Sequence, residues 1–107
     1  MQQITARQLQ AWLEDENRTP PVLVDVRENW ETQICALPGA VHVPMNDIPS
    51  RQQELEPDAP TIVICHHGVR SAQVAAYLEG NGFSHLYNLS GGVDAWAKEV
   101  DSSMAIY

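Results

Sequence analysis

Residues 61–78 read TIVICHHGVRSAQVAAYL, and the fold turns on how this run changes character at Cys65. Up to Ile64 it is β-branched at every position and apolar from Ile62, the pattern of a strand buried on both faces. From Arg70 onward Val74, Ala75 and Leu78 fall on one helical stripe, and Gly80 and Gly82 terminate it. Only a short loop is left between the two. Strand, tight loop and helix in that order form the repeating half of an α/β fold with a parallel sheet.

The flanking sequence repeats the alternation. ITARQLQAWLED opens on Thr5 with Gln8 three residues later, the reciprocal spacing of a capping box, and predicts a helix from Ala6 to Asp15. Pro20 and Pro21 stop it, and VLVDV predicts a buried strand at 22–26. A short helix within 27–34, a brief strand at 40–44 and a helical piece at 51–55 follow. HLYNL predicts a strand at 85–89, and SGGVDAWAKEV a helix with Ser90 as its cap. Residues 101–107 read as a trailing tail. The expected architecture is a single α/β domain over 1–107, with a mostly parallel central sheet of about five strands and helices on both faces.

Composition narrows the function. A chain of 107 residues suits one domain and buries roughly two-thirds of its unfolded surface. Six Lys plus Arg against 14 Asp plus Glu give a net charge of -8, which repels nucleic-acid phosphate and anionic membrane surfaces. No apolar run reaches the roughly 18 residues of a membrane span, and the first residues lack a signal-peptide pattern. The expectation is a cytoplasmic protein with neither a nucleic-acid nor a membrane partner. Cys35 and Cys65, 30 residues apart, read as free thiols.

Chemistry concentrates in CHHGVRS, residues 65–71. In an open parallel sheet, ligands bind beyond the carboxyl ends of the strands, where the next helix presents unpaired N–H groups. Cys65 lies at such an end. Helix N-terminus, loop N–H groups and Arg70 each favour negative charge on its sulfur, and the thiolate is the reactive form. Gly68 suits a loop that curls its N–H groups around one atom. Arg70 is the only Lys or Arg between Gln52 and Ala97, a stretch holding five acids. A cysteine closing an apolar strand is often mere packing. The short loop, the glycine and the arginine before a helix tip the reading toward a nucleophile facing an anion.

Cys65-His66-His67-Gly68-Val69-Arg70-Ser71 resembles the active-site loop of the rhodanese-like domain family. LVDVRE (23–28), LPGAVHVP (37–44) and NLSGGVDAWA (88–97) are similar to three further family segments in order and spacing. The resemblance implies a single-domain sulfurtransferase of the thiosulfate type. Cys65 would take a sulfane sulfur from thiosulfate or another donor as a persulfide and pass it to cyanide or a thiol. His66, His67, Gly68, Val69, Arg70 and Ser71 would form the binding loop, with Arg70 orienting the donor's anionic group. No cofactor is required, the partners are small sulfur donors and acceptors or a protein persulfide or thiol, and the oligomeric state is open. Where many members carry a histidine, this chain has Ala36.

Weaker candidates remain. Arg27 is a residue for the substrate edge, with an ion pair to Glu28 or Glu31 as the plainer alternative. Asp25 would organise the loops, and Cys35 would be a core thiol. His66 and His67, with Cys65 and His42, lack the paired spacing of a zinc site, so no metal is expected. Trp12, Trp30 and Trp96 read as packing residues, Trp30 also as a rim of the pocket. Two other functions fit a Cys-loop-Arg cradle: a cysteine phosphatase or arsenate reductase, and a non-catalytic rhodanese-like regulatory or binding module. The related cell-cycle phosphatases place five residues between Cys and Arg. Four stand between Cys65 and Arg70, a cradle sized to one sulfur.

Overall fold

The computed structural model describes all residues, Met1–Tyr107. Its strands are β1 (Gln2–Ile4), β2 (Val22–Asp25), β3 (Val41–His42), β4 (Thr61–Ile64) and β5 (Leu86–Leu89). They form one sheet in the order β1-β5-β4-β2-β3, every neighbouring pair parallel. The helices are α1 (Ala6–Glu14), α2 (Asn29–Ile34), α3 (Ile48–Arg51), α4 (Val69–Glu79) and α5 (Gly92–Glu99).

Two apolar layers sandwich the sheet, and strand alternation assigns each residue to one of them. Val24, Val63 and Cys65 point to the layer holding Ile48, Val74 and Leu78, beneath α3 and α4. Leu23, Ile62 and Ile64 point to the layer holding Leu9, Trp12, Val93 and Trp96, beneath α1 and α5. This is why 22–24 and 62–65 read as unbroken apolar runs.

Strand order decides where a site can form. From β2 the chain crosses to β3 on one side, and from β4 it crosses to β5 on the other. The connections therefore diverge between β2 and β4, and the carboxyl ends of these two strands are where a ligand site forms in such a sheet. Asp25 and Ile64 are register partners there, so Val26 and Cys65 leave the sheet side by side, with Arg27 one residue further on.

The Thr5–Gln8 capping box is present, with the Gln8 N–H donating to Thr5 Oγ1 at 3.1 Å and the Thr5 N–H to Gln8 Oε1 at 2.9 Å. Four expectations need correction. The fifth strand is Gln2–Ile4, an edge strand with one buried residue, too polar to announce itself by pattern. The helical piece expected at 51–55 is present as a 3-10 turn at Gln52–Glu54, but it ends a longer run that starts with a 3-10 turn at Met45–Asp47 and continues through α3, where Pro49 fits the first turn because its missing N–H is no loss. The cap of α5 is Gly91 at φ +77°, and Ser90 instead donates its hydroxyl to Gln3 Oε1 at 2.9 Å. Residues 101–107 do not trail off: Met104 and Tyr107 pack onto the layer beneath α1 and α5.

Candidate active site

Cys65 follows β4 directly and is 1% exposed, a free thiol at the entrance to α4. The Gly68 N–H donates to its Sγ at 3.1 Å, and Ser71 Oγ lies 3.2 Å from it. Gly68 reaches that position only at φ +103°, a conformation natural to glycine. A Cβ there would also crowd Leu89 O at 3.2 Å and Gly91 N at 3.3 Å.

The loop is held from below by α5 and β5. The Val93 N–H donates to the Cys65 carbonyl at 2.9 Å and the Asp94 N–H to the His66 carbonyl at 3.1 Å. First-turn donors that a helix leaves free are thus spent on the loop backbone. The approach is close enough to require Gly92, whose φ is +58° and whose Cβ would lie 2.3 Å from Cys65 O. Buried Asn88 on β5 completes the support. Its Nδ2 donates to the Gly68 carbonyl at 3.1 Å and to Gln3 Oε1 at 2.9 Å, while its Oδ1 accepts from Ser71 Oγ.

Arg70 does not stand free. Its guanidinium makes a two-pronged pair with Glu31 of α2, Nη1 to Oε2 at 2.7 Å and Nη2 to Oε1 at 2.8 Å. Glu31 is 3% exposed. Its other contacts are the Glu28 N–H at 2.9 Å and the Tyr107 hydroxyl at 2.9 Å. The Arg70 hydrogen bonds hold its carboxyl down at about 2, against the opposing effect of burial, so it is ionised under all working conditions. Burial pushes the Tyr107 hydroxyl up to about 12, and the neutral phenol donates to Glu31 while accepting from Arg27 Nη1 at 2.9 Å.

A pH prediction arises here. Because the folded carboxyl sits below its ordinary value of 4.5, the Glu31–Arg70 pair stabilises the fold fully above that pH. The contribution is lost as pH falls through about 2. Denaturation midpoints of wild type and Glu31→Gln will differ by a constant amount above about pH 5 and converge toward pH 2. A gap that widens on acidification would contradict the pairing.

Arg27 is a correction to the sequence reading. It is fully buried, and its partner is Asp25, with Nη2 to Oδ2 at 2.7 Å and Nε to Oδ1 at 2.9 Å, rather than the carboxylate of Glu28 or Glu31. Its remaining N–H groups go to Tyr107, the Glu31 carbonyl and the Cys35 carbonyl. A guanidinium so enclosed cannot line a substrate edge. Asp25 does organise the chain beyond β2, through this arginine and its bonds to the Glu31 and Cys35 carbonyls. Cys35 is half-buried, packed against the layer beneath α1 and α5.

His66 stacks face to face on the Tyr107 ring at 3.8 Å, and burial, then His67, lowers its pKa and keeps it neutral. His67 is exposed, its Nδ1 3.9 Å from Asp94. His66, His67 and Asp94 bring ligand atoms within 4.8 Å of one another, the nearest approach to a metal set. Lys98 already holds that carboxylate at 2.9 Å, and His42 is turned to the Arg27 carbonyl at 2.6 Å. Trp12 and Trp96 are core residues, whereas Trp30 is 61% exposed and meets Tyr107 edge-on.

Sequence reasoning missed Glu31, Asn88, Tyr107 and Gly92. Asn88 had a signal, a polar residue inside the apolar strand HLYNL, and Gly92 had one in the glycine pair opening a helix. Glu31 and Tyr107 lie 39 and 37 residues from Arg70 on opposite sides, and only the tertiary fold joins them.

Residues 5–99 match the Rhodanese-like domain model. The putative sulfurtransferase YtwF of Bacillus subtilis is 42% identical over 73% of this chain and 75% of its own length. The thiosulfate sulfurtransferase GlpE of Pseudomonas syringae is 40% identical over 70% and 71%. The chloroplastic rhodanese-like/PpiC domain-containing protein 12 of Arabidopsis thaliana is 39% identical over 79% of this chain, which spans 30% of that longer protein. A crystal structure of a rhodanese-like domain protein from Staphylococcus aureus superposes with a TM-score of 0.84 at 34% identity, covering 100% of this chain and 99% of that one. The loop at the sheet's divergence, the glycines that let α5 hold it and the match along nearly the whole sequence agree: this chain belongs to the rhodanese-like domain family.

Proposed function

We propose that the protein is a sulfurtransferase that carries a sulfane sulfur as a persulfide on Cys65. The carrying observation is the Cys65 sulfur itself, a free thiol at the mouth of α4 with the Gly68 N–H 3.1 Å away. With thiosulfate as donor, the Cys65 thiolate attacks the outer sulfur, a new S–S bond forms, the donor S–S bond breaks and sulfite leaves with the electron pair. Cyanide or a thiolate then attacks the outer sulfur of the Cys65 persulfide and regenerates the thiolate. A persulfide is an anion, and a positioned N–H and a helix N-terminus stabilise it in a water-poor setting. The relatives named as sulfurtransferases support this reading. The pairing of Arg70 with Glu31 counts against a phosphatase, which needs its arginine for the transferred oxyanion.

Intact-mass measurement after treatment with thiosulfate or an alkyl persulfide tests it. Wild type will gain one sulfur atom, mapped to Cys65 and removed by cyanide as thiocyanate. No gain from either donor would sink the reading.

A further inference from the structure

A loop that takes sulfur from thiosulfate has to accommodate a dianion, so the disposition of positive charge around Cys65 bears on which donors the site accepts. All six basic side chains can be placed. Arg7 pairs with Glu99, Arg27 with Asp25, Arg51 with Glu54, Arg70 with Glu31 and Lys98 with Asp94. The sixth, Arg18, lies over the Trp12 ring at 3.6 Å. No guanidinium or ammonium near Cys65 is left without its carboxylate, and the chain carries a net charge of -8.

The Glu31–Arg70 pair is built to stay closed. Both Arg70 prongs are engaged at 2.7 and 2.8 Å, and the carboxylate is fixed from two further sides by the Glu28 N–H and the Tyr107 hydroxyl. A dianion that recruited Arg70 would break a two-pronged charge-assisted pair and leave a buried carboxylate uncompensated, a costly exchange. Two large apolar side chains flank the pair in sequence and are exposed: Val69, before Arg70, at 68%, and Trp30, before Glu31, at 61% and edge-on to Tyr107. Apolar side chains of this kind suit the carbon frame of an organic thiol better than a sulfonate group.

Resting on the sulfurtransferase reading, we propose that Glu31 is a specificity-determining residue: clamped on Arg70 and held by Tyr107, it withholds the one nearby cation from anionic donors and directs Cys65 to organic persulfides. The favoured loading step is attack of the Cys65 thiolate on the outer sulfur of R–S–SH. The new S–S bond forms as the old one breaks, the proton stays on the transferred sulfur and R–S⁻ departs. Glu31 touches neither sulfur, and acts through Arg70.

Two readouts test this on the intact protein. One is the ratio of Cys65 loading rates from thiosulfate and from the persulfide of 2-mercaptoethanol, followed by intact mass. The other is the ratio of Cys65 alkylation rates by iodoacetate and iodoacetamide, which reports the local charge without any sulfur chemistry. Wild type will favour the organic persulfide and will show no preference for iodoacetate beyond that of a free thiol. In Glu31→Gln both ratios will shift roughly tenfold toward the anionic reagent, the scale of one unmasked charge near the sulfur. Glu31→Asp will keep wild-type ratios, and Tyr107→Phe, which removes only the hydroxyl, will move them in the same direction by a smaller factor. A wild type that prefers thiosulfate and iodoacetate overturns the proposal even if no variant folds. So does a folded Glu31→Gln with unchanged ratios. If no donor loads Cys65, the sulfurtransferase reading fails, while the alkylation ratio still decides whether Glu31 masks Arg70.

Discussion

Cys65→Ser will abolish sulfane-sulfur transfer and leave the fold intact. The substitution exchanges sulfur for oxygen at a buried position whose neighbours, the Gly68 N–H and Ser71 Oγ, can hydrogen-bond to a hydroxyl as readily as to a thiol. Packing beneath α4 therefore changes little, and thermal melting should stay close to wild type. Chemistry changes completely. A serine hydroxyl is not ionised at neutral pH, has no adjacent base to activate it here, and cannot store sulfur in an S–S bond that a second thiolate reopens. Removing the group that forms the covalent intermediate should lower kcat for thiocyanate formation by roughly 10³-fold or more. The protein should also cease to gain sulfur by mass after donor treatment. A serine variant with near-wild-type turnover would mean that Cys65 is not the carrier, and a variant that melts far below wild type would mean that the thiol is a packing residue first.

The fold and the position of Cys65 at the entrance to α4 were legible in the sequence because they rest on local patterns. β4, the cysteine loop and α4 are contiguous, and each element declares itself by its own periodicity, so residues 61–78 specify strand, turn and helix without help from the rest of the chain. Gly68 was legible for the same reason: a four-residue loop, 65–68, that turns sharply from strand into helix needs one left-handed position. What was not legible is the electrostatic state of the arginine. Arg70 looked like a lone cation in an acidic stretch, and its actual partner lies on α2, placed by the crossing from β2 to β3. Arg27 was misread for a different reason, since its partner is close in sequence. A rim position or an ion pair to Glu28 or Glu31 was expected, whereas the two-residue reach back to Asp25 lets it fold inward and vanish from the surface. Pairing of charges over long sequence separations is a property of topology, and a single sequence carries almost no trace of it.

The second large effect belongs to that hidden pair. Asp25 and Arg27 are 1% and 0% exposed, at and just beyond the carboxyl end of β2. Arg27→Met will keep the length and apolar volume of the side chain while removing the guanidinium. The Asp25 carboxylate then loses every cationic donor, and the Cys35 carbonyl and the Tyr107 hydroxyl lose the donors at 2.7 and 2.9 Å. Breaking a buried pair from one side costs about 3–5 kcal/mol. Set against the roughly 5–15 kcal/mol that separates a folded domain of this kind from its unfolded chain, that is a large fraction of its stability. At about 4–8 °C per kcal/mol for a small domain, the melting temperature should fall by roughly 15 °C or more. The cost comes chiefly from the stranded charge, so Asp25→Leu added to Arg27→Met should recover a large part of it, since an apolar pair of similar volume can replace a buried ion pair. Sulfur transfer will not recover in step. Arg27 holds the Tyr107 hydroxyl, Tyr107 holds Glu31, and Glu31 holds Arg70 beside the cysteine loop, so the double variant repairs the core while leaving that chain of contacts cut at its first link. A single variant as stable as wild type would show that Asp25 reaches water or another donor, and a double variant with full activity would show that the loop needs no support from β2.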